Sequence, residues 1–222
     1  GGPLSKREGD LSLRELRAAG YLPEALLNYL ARIGHRYERD GWLTPMELAA
    51  GFALERLGRA PAHHDEAQLL HWQVEAVQRA SLEQAWAWLG EAVRARVPAA
   101  CREEFIAAIR PNIRFPADAA FWAERLFSEE LPLSAESQAL IAQAGSEFFR
   151  HALAAYTEHG AAYQPLIDDL KRRAGVKGKN LFMPLRAALT GETHGPELAR
   201  ILALLPVDLA QRRLAAATHR SD

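Results

Sequence analysis

The sequence predicts an all-α protein of about a dozen short helices joined by tight loops. Three observations carry that prediction. Alternating apolar–polar runs of the strand kind are almost absent, and alanine and leucine dominate. Apolar residues recur at helical spacing, as in Leu22, Leu26, Leu27, Leu30 and Ile33. Glycine, proline and capping residues cut the chain into segments of helix length. No repeat of fixed period is present, which argues against a solenoid. The 222 residues suit one large or two small domains with a sizeable core.

The elements follow in order. Asp10 or Ser12 caps a first helix through Leu13, Leu16 and Arg17, which Gly20 stops. Pro23 sits in the first turn of a helix over Glu24 to Ile33, closed by Gly34, whose leucines at positions 22, 26, 27 and 30 should be buried with Ile33. After the turn at Asp40-Gly41, Thr44-Pro45-Met46-Glu47 reads as a capped helix start running to about Leu57. A short strand near Trp42-Leu43 would not change the class. Gly58 to His64 is a loop, and Asp65 or Glu66 opens a helix carrying Leu69, Leu70, Trp72, Val74 and Val77. Ser81 caps the next, with Trp86 and Leu89 inward. Arg102 to Ile109 is helical until Pro111 cuts it off, and Pro116 starts a helix with Phe121, Trp122, Leu126 and Phe127.

Glu129 to Ser134 is a proline-containing break and the best candidate boundary. Ser134 then caps a helix to about Gly145, and Phe148, Phe149, Leu153 and Tyr156 mark another. Pro165 to Ala174 is amphipathic and stops at Gly175; Lys177 to Asn180 is a basic turn. Helices are expected over Leu181 to Leu189, Pro196 to Leu205 and Asp208 to Ala217.

Composition excludes several classes. Hydrophobic residues make up 49% and charged residues 25%, which is ordinary for a globular protein. With 27 Lys and Arg against 28 Asp and Glu, the formal net charge is −1, so any nucleic-acid surface must come from a local arrangement of arginines. The single cysteine, Cys101, excludes an internal disulfide and fits a reducing, cytoplasmic setting. No apolar run reaches the roughly 18 residues that a membrane span needs. His63, His64 and His71 form one histidine cluster beside Asp65 and Glu66, but neighbours on a helix point apart, so no metal site is expected. Asp168-Asp169 reads as a solvated helix face.

Three stretches carry candidate chemistry, each with a plain alternative. Pro3-Leu4-Ser5-Lys6-Arg7-Glu8-Gly9 sets Ser5, Lys6 and Arg7 in a row on a loop. Cations with small neighbours hold a polyphosphate, and the same residues also suit a solvated leader. In Ile109-Arg110-Pro111-Asn112-Ile113-Arg114-Phe115, a helix break holds Arg110, Asn112 and Arg114 on a linker from which they can reach base edges. Alternatively, Arg110 satisfies the carbonyls of its own helix. In Asn180 to Leu198, a helix ending at Gly191 turns at Gly195 into one opened by Pro196. Free N–H groups at that start, with Arg186 on the preceding helix, suit an anion or a base edge; a corner whose glycines serve packing is the other reading, and the residues alone leave the two even.

Four stretches together resemble a known family, the bacterial glutamyl-tRNA synthetases, in their C-terminal half. Leu4-Ser5-Lys6-Arg7 is similar to the family's form of the KMSKS motif. Gly20 to Leu30, reading GYLPEALLNYL, resembles the helical stretch that follows it. Gln68-Leu69-Leu70-His71-Trp72 sits where the family has a comparable helix. Phe182-Met183-Pro184-Leu185-Arg186-Ala187-Ala188-Leu189-Thr190-Gly191 with Gly195-Pro196-Glu197-Leu198 is close to its anticodon-domain motif. They span nearly the whole chain in the family's order. Four departures stand out: Pro3 replaces a usual lysine, Gln73-Val74 replaces an asparagine-containing continuation, Pro206 replaces a glycine, and Asn112 falls where an arginine is common.

The resemblance implies a helical-cage anticodon-binding architecture in two or three small subdomains: residues 1–80 with the KMSKS-like loop and stem-contact helices, then 81–133 and 134–222 as two anticodon-binding units. It implies a partner, tRNA(Glu), with neither DNA nor membrane involved. It implies a parent glutamate–tRNA ligase that uses ATP and Mg²⁺ through a glutamyl-adenylate. Ser5, Lys6 and Arg7 would then meet ATP, while Arg110, Asn112, Arg114, Arg186, Gly195, Pro196 and Leu198 would read the anticodon. Nothing here matches the family's HIGH motif, so the resemblance implies an N-terminal catalytic domain outside these residues, and a fragment that is inactive and holds no cofactor by itself. A stand-alone RNA-binding module of the same descent and a helical protein-interaction scaffold are the alternative readings.

Overall fold

A computed structural model describes residues 12–58 and 64–220, so Ser5, Lys6, Arg7 and His63 lie outside the described residues. Thirteen α-helices and no strand occur among the described residues. The chain divides into two units, one of Gly1–Gly90 with Ile113–Asp118 and one of Glu91–Asn112 with Ala119–Asp222.

The first unit contains α1 (Leu13–Ala19), α2 (Pro23–Arg32), α3 (Pro45–Ala50), α4 (Glu66–Arg79) and α5 (Leu82–Trp88). Reciprocal capping boxes open three of them, Ser12 with Glu15, Thr44 with Glu47 and Ser81 with Gln84. α1 stops at Gly20, whose φ of 97° favours glycine and whose added Cβ would stand 2.4 Å from Pro116 Cδ. The core joins Ala25 and Tyr29 of α2 to Leu69, Trp72 and Ala76 of α4. The Tyr29 hydroxyl accepts the Asp65 N–H at 2.7 Å and meets His64 Nδ1 at 2.9 Å, which seats the start of α4.

Two expectations fail in this unit. Leu27 and Leu30 are not buried but 44% and 51% exposed. The inward arc of α2 is set by Ala25, Asn28 and Tyr29, and the leucine stripe is wider than that arc. Buried Asn28 ties the following loop to the helix, its amide donating to Leu43 O at 2.8 Å and its Oδ1 accepting Leu43 N–H at 3.1 Å. α3 ends at Ala50 rather than near Leu57. Ala53 is extended, with its N–H directed to His35 Nε2 at 3.1 Å, and an isolated antiparallel bridge pairs His35 with Leu57. That pairing draws the chain out of helix; Trp42-Leu43 forms no strand.

The second unit contains α6 (Glu91–Arg96), which the sequence reading passed over, α7 (Arg102–Ile109), most of α8 (Pro116–Phe127), α9 (Ala135–His159), α10 (Tyr163–Ala174), α11 (Lys179–Thr190), α12 (Leu198–Leu204) and α13 (Val207–Arg220). The break expected at Gly145 is a kink inside α9, with Gly145 at φ 80°, ψ 159° and helix on both sides. α9 packs against α10, α11 and α13, and α12 against α7. Phe149, Tyr156, Leu166, Leu185 and Ile201 are fully buried.

Asp169 is also buried, at 4% exposure, and not on a solvated face. It accepts from Arg172, from Arg173 Nε at 2.7 Å and from His159 Nε2 at 3.2 Å, while Asp168 stays outside with Gln164. The Arg172 hydrogen bond, followed by that of Arg173, holds the Asp169 carboxyl below the usual carboxylate range, against the opposing effect of its burial. A carboxyl depressed in the folded state contributes stability that is complete above its unfolded pKa of about 4 and is lost as pH falls through the folded value. Melting temperature should therefore fall on acidification below about pH 4, and Asp169→Asn should flatten part of that acid limb. A variant as acid-sensitive as the native chain would refute the assignment.

Candidate nucleic-acid interface

The first arginine-bearing stretch is built by a helix that proline prevents from continuing. α7 ends at Ile109 and Arg110–Asn112 tightens into one 3-10 turn, as Pro111 requires. In the second unit, Arg110 is half-buried and Asn112 exposed. In the first unit, Ile113 is buried and Arg114 exposed. The backbone at Arg114 is pinned on both sides. Asp118 Oδ2 accepts the N–H groups of Arg114 and Phe115 at 2.8 and 2.9 Å, and Arg114 O accepts from Gln73 Nε2 at 2.8 Å. Phe115 packs edge-on against Tyr21, with ring centroids 5.0 Å apart. A fixed main chain thus carries an Arg114 side chain that makes no hydrogen bond or ion pair with the described residues, and the Asn112 amide is equally unengaged.

Gln73, in the sequence only a departure from the family pattern, organises this end of the unit. Fully buried, it donates to Gly20 O at 3.1 Å and Arg114 O at 2.8 Å and accepts the Leu22 N–H at 2.9 Å. Its legible signal was an amide beside Trp72 on an apolar helix face.

The second stretch is a corner. α11 stops at Gly191, at φ 76°, where a Cβ would lie 2.3 Å from Pro132 O. Gly191 O accepts the buried Ser137 hydroxyl at 2.8 Å. Glu192 receives Arg125 through Nε at 3.1 Å and Nη2 at 2.8 Å. Gly195, at φ 134°, lies on the Trp122 indole, 2.1 Å from where its Cβ would be. Arg186 turns into this corner: its Nη1 donates to Pro196 O at 2.6 Å, and burial pushes its pKa down. Pro196 is buried and Leu198 is 6% exposed.

Of the two readings left even by the residues, packing is therefore present at both glycines. The helix expected from Pro196 opens at Leu198, because Glu197 is still extended (φ −55°, ψ 134°), so the free donors expected at Pro196 are displaced. The exposed side chains of the corner are His194, whose Nδ1 meets Thr193 Oγ1 at 3.0 Å, and Glu197. Sequence reading also missed Trp122 as a floor, the Arg125–Glu192 pair, and Arg213. The last has a signal in its spacing, with Leu209 and Ala217 one turn to either side.

Among the described residues one cluster, Glu158, His159 and Asp169, has metal-ligating types together, but both Asp169 oxygens are held by arginines. No helix among the described residues is long and apolar enough to cross a membrane.

The profile of a family described as an anticodon binding domain matches residues 66–218, a span that includes both stretches. The chain belongs to this family. It is 52% identical over 214 residues to glutamate–tRNA ligase 2 of Nitrosococcus oceani, covering 96% of this chain and 45% of that protein. It is 46% identical over 222 residues to glutamate–tRNA ligase 1 of Methylococcus capsulatus, covering 100% and 48%. The chain thus spans a little under half the length of these relatives. Its fold is similar to a solved glutamate-tRNA synthetase of Elizabethkingia anophelis, with a TM-score of 0.83 at 19% identity, over 98% of this chain and 48% of that one.

Gly195→Ala should force the corner off Trp122 and lower stability by about 1–3 kcal/mol, since a Cβ in that space also meets an unfavourable φ. Thermal denaturation of the variant checks this, and an unchanged melting temperature would contradict the close approach.

Proposed function

We propose that this chain is the tRNA-binding, anticodon-reading portion of a glutamate–tRNA ligase. The observation that carries the reading is the family match over 66–218, which takes in both arginine-bearing stretches. Identity of 52% to the Nitrosococcus oceani ligase over nearly the whole chain supports the choice of ligase.

In this reading Arg114 contacts an anticodon base or the adjacent backbone from a pinned main chain in the first unit, and Arg110 and Asn112 do so from the second. The unengaged heads of Asn112 and Arg114 suit base edges and phosphate. Arg186, Gly195, Pro196 and Leu198 act differently: Arg186 holds the Pro196 carbonyl from inside, and the other three give the corner its shape. Residues 1–80 form the stem-contact region, and 81–133 and 134–222 the two anticodon-binding subdomains. The parent enzyme joins glutamate to tRNA(Glu) through a glutamyl-adenylate in the cytoplasm, with ATP and Mg²⁺. Ser5, Lys6 and Arg7 would contact the ATP phosphates there, their cations neutralising developing charge. The further partner is the catalytic domain of the same enzyme.

A hairpin carrying the anticodon stem and loop of tRNA(Glu) should bind with an affinity that falls as salt rises. Arg110→Ala and Arg114→Ala should each weaken binding by about tenfold. If both bind as the native chain does, the anticodon assignment is wrong. The 222 residues by themselves should give no glutamate-dependent ATP–pyrophosphate exchange, and detecting that exchange would overturn the assignment of adenylate chemistry to the rest of the parent.

A further inference from the structure

We propose that Arg213 is a positioning residue for the corner at 191–198, fixing the shape that this corner presents to RNA. The proposal rests on the anticodon-binding reading above for the identity of the ligand, and on geometry alone for the hold on the corner.

Arg213 lies on the inward face of α13 at 6% exposure. Its Nη1 donates to Arg125 O at 2.7 Å and to Leu189 O at 2.6 Å, and its Nη2 to Ser128 O at 2.8 Å. All three carbonyls belong to the ends of α8 and α11, where no helical N–H remains to serve them. One planar guanidinium therefore joins two helix C-termini, whose partial negative charge it also meets.

Both helices support the corner directly. α8 carries Trp122, on which Gly195 lies, and Arg125, whose side chain grips Glu192. α11 carries Arg186, which holds the Pro196 carbonyl, and leads straight into Gly191. The relative setting of these two helix ends decides where residues 191–198 stand, and Arg213 sets it. Burial pushes its guanidinium down to about 10, which still leaves it a cation at neutral pH. Among the described residues no carboxylate bonds it and its buried Nε has no partner, so the three carbonyls are what hold the charge in place.

Lysine at this position keeps the charge but loses the planar fork, and glutamine keeps a donor without the charge or the reach. The test compares Arg213→Lys and Arg213→Gln with the native chain in two measurements. In the first, amide hydrogen exchange at 191–195 should quicken at least about tenfold in both variants while the α9 core stays protected. In the second, the preference for the tRNA(Glu) anticodon hairpin over one with a single substituted anticodon base should drop about tenfold. The salt dependence should stay as it was, because Arg213 touches no phosphate. Folded variants with native exchange and native preference overturn the proposal. So does global unfolding of both, which would make Arg213 a core residue and nothing more. If the native chain binds no hairpin at low salt, the anticodon reading fails, while the exchange measurement still decides whether Arg213 holds the corner.

Discussion

Every helix end leaves N–H or C=O groups that its own hydrogen bonds cannot satisfy, and a chain cut into short helices has many of them. That constraint shapes both units. Exposed starts are closed locally by Ser12, Thr44 and Ser81 with their partners three residues on. Buried ends are closed from a distance. Gln73 and Trp88 Nε1 both reach Gly20 O, Ser137 reaches Gly191 O, and Arg213 serves three carbonyls. The side chains that satisfy these ends are the ones that set the linker at 113–115 and the corner at 191–198.

The same constraint sorts the arginines. A formal net charge of −1 gives no general attraction for RNA, so what matters is which cations are available. Arg114 is exposed over a fixed backbone, whereas Arg186 and Arg213 are committed to carbonyls. The linker accordingly offers charge and hydrogen-bonding groups, and the corner offers shape. On the proposed reading, recognition through shape tolerates no slack in its frame, and Arg213, far along the chain on α13, joins the two helix ends that carry that frame.

Much of the fold was legible because its signals are local. Capping residues, prolines and stop glycines read directly from the sequence, so the bounds of α7 and α8 and the end of α1 fall where those residues place them. What was not legible depended on tertiary partners. The leucine stripe of α2 does not reveal which arc faces α4, and the extension at Ala53 needs His35 from eighteen residues away. Among polar residues buried on apolar faces, Asp169 reads as surface and Gln73 as a departure, and the sequence reading singles out neither Asn28 nor Arg213, because their partners are distant or their neighbours charged. At the candidate site the sequence picked out both stretches. It did not separate exposed side chains such as Arg114 from those committed to carbonyls such as Arg186, since an arginine looks the same in either place.

The proposed anticodon-reading role predicts that an RNA hairpin touches two segments of this chain. Hydrogen exchange across the whole chain, with and without the tRNA(Glu) anticodon hairpin, tests that most directly. Protection is expected at 110–114 and at 191–198, and a hairpin with an altered anticodon should give little at either. Protection confined to other segments, or the same pattern with any hairpin, would contradict it.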